Sequence, residues 1–406
     1  MAIMETELSG FVRQYISTAM PYSNAAWKLR GKTSVQMVRT VILSLLVFAT
    51  SVVTSAGSFA STFLSVGKYQ SFDQLQTWAN VFEAENSDIV DVVEFGRSSQ
   101  DRPLLAIKLS LTPGFNDPVK PEFLFTAGLH AREVIGSQAA YKLAEHLVAG
   151  FRSGDPVFND IFSEREVWII PNLNPDGRIS VENGNSAQRK NMQIFQGQYP
   201  ASYGVDINRN FPHKWDFNSS SSNSETYAGP SKLSTPEAAA LWGLLKKPQF
   251  ISSLTAAIDF HSGIGSILTP WTSSALNKNL NPLPPQQRQK FDSLASEMSA
   301  LTGYAIDALT YNANGTLSDS IYEEFGAYSL CEEVFEGPWI YPDYFTQFNP
   351  TNQNEIDSTV AKAIASSMFL LSDRAFAVPE PTMTALLALG GVFAVMFWSR
   401  RGQKKR

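Results

Sequence analysis

One cysteine and four histidines are all that the 406 residues offer of the two residue types most used for cross-links and transition-metal sites. Cys331 alone excludes an internal disulfide, and any histidine-based metal site must draw on His130, His146, His213 and His261. Charge is sparse at 17% of residues, while 44% are hydrophobic, which excludes a disordered chain. No internal repeat is present, so coiled-coil and collagen-like architectures are excluded as well. Positive charge is also in deficit. The formal net charge is −6, and residues 1–60 and 400–406 contribute +3 and +5, leaving −14 for the stretch between. So acidic a body binds polyanions poorly, and no nucleic-acid partner is expected.

What is present begins with two apolar stretches, one near each end. Val41–Phe48, extended through Ala49–Val53, follows Arg39 and precedes the small-residue run TSAGSFA. A basic flank, a short apolar core and small residues form a secretory signal, cut after Ala60 or Ala56. The forty residues ahead are long for such a flank, and a start at Met37 would give ordinary proportions. The second stretch, Met383–Trp398, makes roughly 24 Å of helix, short for a bilayer span. Val378-Pro379-Glu380-Pro381 precedes it and RRGQKKR follows, a charge cluster that holds that end on the cytoplasmic side. This order resembles the PEP-CTERM sorting signal of Gram-negative bacteria. The resemblance implies an exosortase-type processing enzyme as partner and transient membrane association through the apolar helix. It also implies export to the cell envelope, outer surface or extracellular matrix. The expected organisation is therefore an N-terminal extension with signal peptide (1–60), one catalytic domain (61–377) and a sorting tail (378–406), with the chain a monomer.

Between the two ends, strands and helices alternate. Ile89–Phe95 and Leu104–Leu109 are β-rich runs flanking the polar GRSSQDRP, which predicts a hairpin. Glu122–Thr126, Val167–Ile170, Ala256–Phe260 and Ser329–Phe335 read as further strands. Helices are predicted from Val134 to Val148, from the capping Ser234-Thr235-Pro236-Glu237, and over Gln286–Thr302 and Asn354–Leu371. Asn174-Pro175-Asp176-Gly177 reads as a turn, and Asn183–Ala228 as a long loop of the kind that carries function. Such alternation predicts an α/β domain with a central mixed sheet covered by helices on both faces.

The chemistry starts at His130-Ala131-Arg132-Glu133. A histidine and a glutamate three apart, where a strand turns into a helix, can bind a metal ion from one side. His261 closes the strand AAIDFHS, and in an open α/β sheet sites collect at the carboxyl ends of strands. Two histidines and one glutamate complete a hydrolytic zinc triad. His146, a dozen residues into the following helix, and His213, in NFPHKW, are assigned structural or loop roles.

The stretch from Tyr69 to Leu371 resembles a zinc carboxypeptidase of the carboxypeptidase A type. GLHARE, NPDG, DINRNF, FHS, and Tyr311 followed 22 residues later by Glu333 stand in the order of that family's motifs. The resemblance implies one Zn2+ per chain on His130, Glu133 and His261, with peptide or protein C-termini as substrates. It gives Arg209 the substrate carboxylate, which its fork can bind in bidentate fashion, with Asn208 beside it. Tyr311 caps the substrate, Arg132 lines a neighbouring subsite, and Ser318 stands where side-chain preference is set. Glu333 is the general base. Its neighbour Glu332 points to the opposite face of the strand and needs a partner or solvent. Cys331, lacking an activating base, is a small packed side chain.

One departure bears on turnover. In Gln188-Arg189-Lys190-Asn191-Met192 a methionine occupies the place where the family carries an arginine that polarises the scissile carbonyl. Arg189 displaced into that role, a metal working with less help, and weakened catalysis are the three outcomes open at this point. A cell-wall peptide amidase or peptidase, and a catalytically weakened surface-binding homologue, are the alternative functions. No activation segment is expected ahead of KYQSFDQLQTWA.

Overall fold

The computed structural model describes residues 68–376 apart from 118, 197, 200, 201, 217–220 and 339–342. The signal-like segment and the apolar tail lie outside the described residues. Among the described residues no helix is long and apolar enough to cross a membrane.

Eight strands form one sheet: β1 (Val90–Arg97), β2 (Pro103–Leu109), β3 (Glu122–Ala127), β4 (Glu166–Ile170), β5 (Leu254–His261), β6 (Ser266–Leu268), β7 (Ala305–Ile306) and β8 (Tyr328–Glu333). The helices are α1 (Phe72–Glu85), α2 (Val134–Arg152), α3 (Pro156–Glu164), α4 (Pro175–Glu182), α5 (Pro236–Leu245), α6 (Pro248–Ser253), α7 (Pro285–Thr302), α8 (Leu317–Phe325), α9 (Tyr344–Phe348) and α10 (Gln353–Leu370). The sheet order is β1-β2-β4-β3-β5-β8-β6-β7. Its centre, β4-β3-β5-β8, is parallel, and antiparallel pairs flank it.

Both faces of the central strands are apolar, as expected of strands covered on each side. Phe123, Phe125, Ile169 and Ile258 pack with α2, α7 and α10, whereas Leu124, Trp168, Ile170 and Ala257 pack with α5, α6 and α8. The period of two along each strand thus divides the core into two layers. The predicted mixed sheet with helices on both faces is the observed architecture.

The expected turn at Asn174 is instead a helix start. Asn174 Oδ1 accepts from Gly177 N, and Pro175 takes the first helical position of α4. Proline and an N-cap asparagine serve a turn and a helix start alike, and here the helix wins. Strand β8 ends at Glu333, earlier than predicted, and beyond it Val334 N donates to His261 O and Phe335 O accepts from Gly263 N. The long loop is tied down rather than loose: Asn191 N donates to Val205 O, and the Lys190 ammonium donates to Ser202 O and Ser224 O. Gly315, at φ 67°, passes so close to Arg209 that a Cβ would stand 2.2 Å from Arg209 O. Only glycine fits there, which brings the Tyr311 loop against the Arg209 turn.

Candidate metal centre

Three neighbouring parallel strands deliver the site at their carboxyl ends. β3 runs out into His130 and Glu133, β5 ends on His261, and β8 ends on Glu333, the register partner of His261. His130, Glu133 and His261 are buried, and their ligand atoms all lie within 4.8 Å of one another. His261 Nδ1 lies 2.9 Å from Glu133 Oε2, and His130 Nδ1 lies 2.9 Å from Glu133 Oε1.

The outward nitrogens of both rings meet carboxylates. His130 Nε2 is 3.1 Å from Asp206 Oδ1, and His261 Nε2 is 2.8 Å from Asp259 Oδ2. A ring that donates outward to a carboxylate keeps its inner nitrogen unprotonated, as a metal ligand requires.

The charges fit a divalent cation. Glu133, Asp206 and Asp259 are three buried carboxylates, and Arg189 supplies one compensating positive charge. A cation among them would offset buried negative charge, which is strongly unfavourable when uncompensated. Burial alone would raise the Glu133 carboxyl, but His130 and His261 pull it well below the usual carboxylate range. Burial opposes ionisation of Asp206 too, and Arg189, His130 and Arg209 overcome it. Two imidazoles and a carboxylate, with no thiolate, are a donor set suited to zinc with one position left open.

A cavity of about 380 Å³ opens over this cluster. Arg209, Tyr311, Arg189, Asn208, Ser318 and Glu333 all line it. Arg209 Nη2 donates to the Tyr311 hydroxyl at 3.3 Å, and Tyr311 stands half-exposed at the mouth. Asn208 lies beside Arg209 on the 3-10 turn Ile207–Arg209, which Asp206 caps by accepting from Asn208 N. Its Oδ1 accepts from Leu317 N, and its Nδ2 lies 3.0 Å from His261 Nε2 at the cavity wall.

Arg189 donates Nε and Nη2 to Asp206 Oδ2, at 3.0 and 2.9 Å, and its Nη1 lies 3.7 Å from Glu133 Oε1. Met192 is not among the residues lining the cavity. Burial, reinforced by the charge of Glu133, raises the Glu333 carboxyl to about 7. Glu332 faces the other core layer, where Ser366 Oγ on α10 donates to its Oε2 at 2.7 Å.

The remaining sequence-predicted residues stand apart from the cluster. Arg132 does not line the cavity. Its guanidinium is held by Ala187 O and Glu225 and lies over the Phe348 ring. Glu225 in turn walls a second cavity of about 390 Å³ that shares Arg189 with the first. His213 is buried and stacked on Trp271, and His146 is exposed on α2 against Phe158. Asp206 and Asp259 were missed in the sequence, although DINRNF opens on the first and IDFHS carries the second two residues before its histidine.

Two imidazole nitrogens and a carboxylate at the carboxyl ends of a mixed sheet, with a half-buried glutamate alongside, define a site for a single zinc ion. The family model described as zinc carboxypeptidase matches residues 75–359, and the chain belongs to that family. It is 30% identical over 264 residues to carboxypeptidase A5 of Macaca fascicularis, covering 64% of this chain and 56% of the relative. It is 28% identical over 223 residues to the inactive metallocarboxypeptidase ECM14 of Ajellomyces dermatitidis, covering 53% of this chain and 36% of that one. The chain thus spans about half the length, or less, of these curated relatives. Its fold resembles that of thrombin-activatable fibrinolysis inhibitor, with a TM-score of 0.64 at 23% identity, covering 76% of this chain and 75% of that one.

Proposed function

We propose that the protein is an exported zinc metallocarboxypeptidase that removes the C-terminal residue of peptides or proteins. One observation carries this reading: the Arg209 guanidinium and the Tyr311 hydroxyl meet at 3.3 Å in the cavity that also holds His130, His261 and Glu333. A buried guanidinium that forms no ion pair among the described residues, set beside a metal site, suits a substrate that brings a carboxylate.

Bound zinc supplies Lewis acidity, making water nucleophilic at neutral pH and polarising a carbonyl. The chain's own residues do the rest. Arg209 and Asn208 fix the free C-terminus, and Tyr311 closes over it from the half-exposed mouth. Glu333, unpaired in a low-dielectric wall of the cavity, takes a proton and hands it to the leaving amine. Its elevated proton affinity suits a group that must accept and then release a proton near neutral pH.

Apart from the groups already named, the cavity is lined by the uncharged Leu268, Leu309, Ala313, Thr316, Ser318 and Cys331. Asp319 beside Ser318 is spent on Thr272 and Ser273, accepting from both backbone amides and the Thr272 hydroxyl. It offers nothing to a cationic substrate. Apolar or uncharged C-terminal residues are therefore the preferred substrates.

Export rests on the signal-like segment before Ala60 and on the VPEP, apolar and basic tail after Phe376, with an exosortase-type enzyme acting on the tail. Envelope fractionation with tail-deleted and full-length chains tests it, and retention in the cytoplasm would overturn it. For the activity, purified zinc-loaded protein is incubated with a peptide library and the products are read by mass. Stepwise loss of single C-terminal residues supports the reading; internal cleavage, or none, refutes it.

A further inference from the structure

Two carboxylates stand behind the two histidines, and they are held in different ways. Asp206 caps a short turn in the long loop and is gripped by Arg189. Asp259 instead lies on central strand β5, two residues before His261, so both side chains leave the same face. Its Oδ2 is 2.8 Å from His261 Nε2, and its Oδ1 accepts from Thr126 Oγ1 at 2.7 Å. Thr126 is the register partner of Asp259 on the adjacent parallel strand β3. Thr126, Asp259 and His261 are all more than nine-tenths buried.

We propose that Asp259 is a positioning residue of the zinc site, locked by Thr126, which sets the tautomer and rotation of the His261 ring. An imidazole turns in a broad two-fold well about its outer torsion, so packing alone defines its plane poorly. A carboxylate at Nε2 retains the proton there and leaves Nδ1 as the lone-pair donor toward Glu133 and His130. That carboxylate could itself rotate, and the Thr126 hydroxyl removes the freedom by occupying Oδ1. Threonine is stiff at its first torsion on a strand, so the hydroxyl is well placed to do so. The chain Thr126–Asp259–His261 therefore runs from two central strands to the ligand without passing through a loop. Asp259 is also one of the three buried carboxylates around the cation site. The proposal rests on the zinc site, not on the exopeptidase reading, so metal binding tests it even if turnover proves to be of another kind.

The test uses the full chain stripped of metal. Zinc affinity is measured by competition with a chromophoric chelator, and the visible spectrum of the cobalt-substituted protein reports ligand geometry. Asp259→Asn should weaken zinc 10–100-fold and move the cobalt bands. Thr126→Val, which keeps the shape and removes the hydroxyl, should weaken zinc by a smaller factor and shift the bands in the same direction. Thr126→Ser, which keeps the hydroxyl, should restore parental values. A merely structural role would alter melting without moving the cobalt bands. Parental affinity and spectrum in Asp259→Asn would overturn the proposal, as would equal losses in Thr126→Val and Thr126→Ser. Should Asp259→Asn fail to fold, the two Thr126 variants decide alone.

Discussion

His130 Nδ1 and His261 Nδ1 face one another at 3.0 Å, although the residues stand 131 positions apart in the chain. Each ring turns its Nδ1 toward the other and toward Glu133, so a cation seated between them would be coordinated by both rings and the carboxylate. The protein is therefore expected to bind one zinc per chain. Chelation should lower the melting temperature and readdition restore it, since a ligand bound to the folded state stabilises by mass action. His261→Ala should lose metal and activity together, whereas His146→Ala, on the exposed side of α2, should lose neither. Full zinc occupancy in purified His261→Ala, measured by elemental analysis, would refute the ligand set.

Glu332 and Glu333 are adjacent, and the pleat sends them to opposite layers. Glu333→Gln is expected to abolish turnover while zinc content and peptide binding persist, because it removes a base and spares the ligands. Glu332→Gln should leave turnover nearly intact. Reversed results in a paired assay of turnover and zinc content would mean that the register of β8 is displaced by one residue.

Glu332 and Glu122 also predict how stability depends on pH. Burial raises the Glu332 carboxyl to about 8, against a weaker opposing pull from its Ser366 hydrogen bond. Glu122, which pairs in register with Glu166 on β4, is likewise raised to about 8, first by burial and then by Glu166. A folded-state value above the unfolded one favours the native state fully below the unfolded value, and that benefit is lost as pH rises toward 8. Replacing either residue by glutamine removes the loss. Glu332→Gln and Glu122→Gln should therefore each gain more than about 1 kcal/mol at pH 8–9 relative to the parent, and little near pH 4.5. Thermal melts across that range check it, and a pH-independent difference would argue against the buried carboxylates as its source.

The period-two alternation that separates Glu332 from Glu333 was legible in the sequence, as were the sheet class and the three metal ligands. They were legible because each depends on local pattern: an apolar run, a histidine at a strand end, a glutamate three residues on. Asp206 and Asp259 were not, because an aspartate in a loop and another inside a strand look ordinary until the sheet places them behind a ring nitrogen. Arg132 sits in the same motif as two ligands, and the sequence could not show that its guanidinium would pair with Glu225, 93 residues later. The Asn174 turn became a helix because the same residue types begin both.

If Arg209 holds the substrate carboxylate, amidating a peptide's C-terminus removes the charge that the fork recognises. Loss of a bidentate charged contact in a desolvated site costs on the order of 2–5 kcal/mol. Amidated peptides should then react at least about tenfold more slowly than free ones, each factor of ten being about 1.4 kcal/mol. Arg189 has two nitrogens on Asp206 and its Nη1 turned toward the metal side, 3.7 Å from Glu133. That leaves one donor edge for a developing oxyanion in a chain that has Met192 where the family has arginine. Arg189→Ala should lower kcat strongly with KM nearly unchanged, the signature of an interaction made in the transition state, typically about 2.7–4 kcal/mol for such a donor. Because Arg189 also braces Asp206 behind His130, zinc content must be measured in the same preparation and remain at one per chain. A silent Arg189→Ala, with Met192→Arg raising kcat, would show that the natural protein turns over without that donor. Equal rates on free and amidated peptides would instead refute the role of Arg209 and the exopeptidase reading with it.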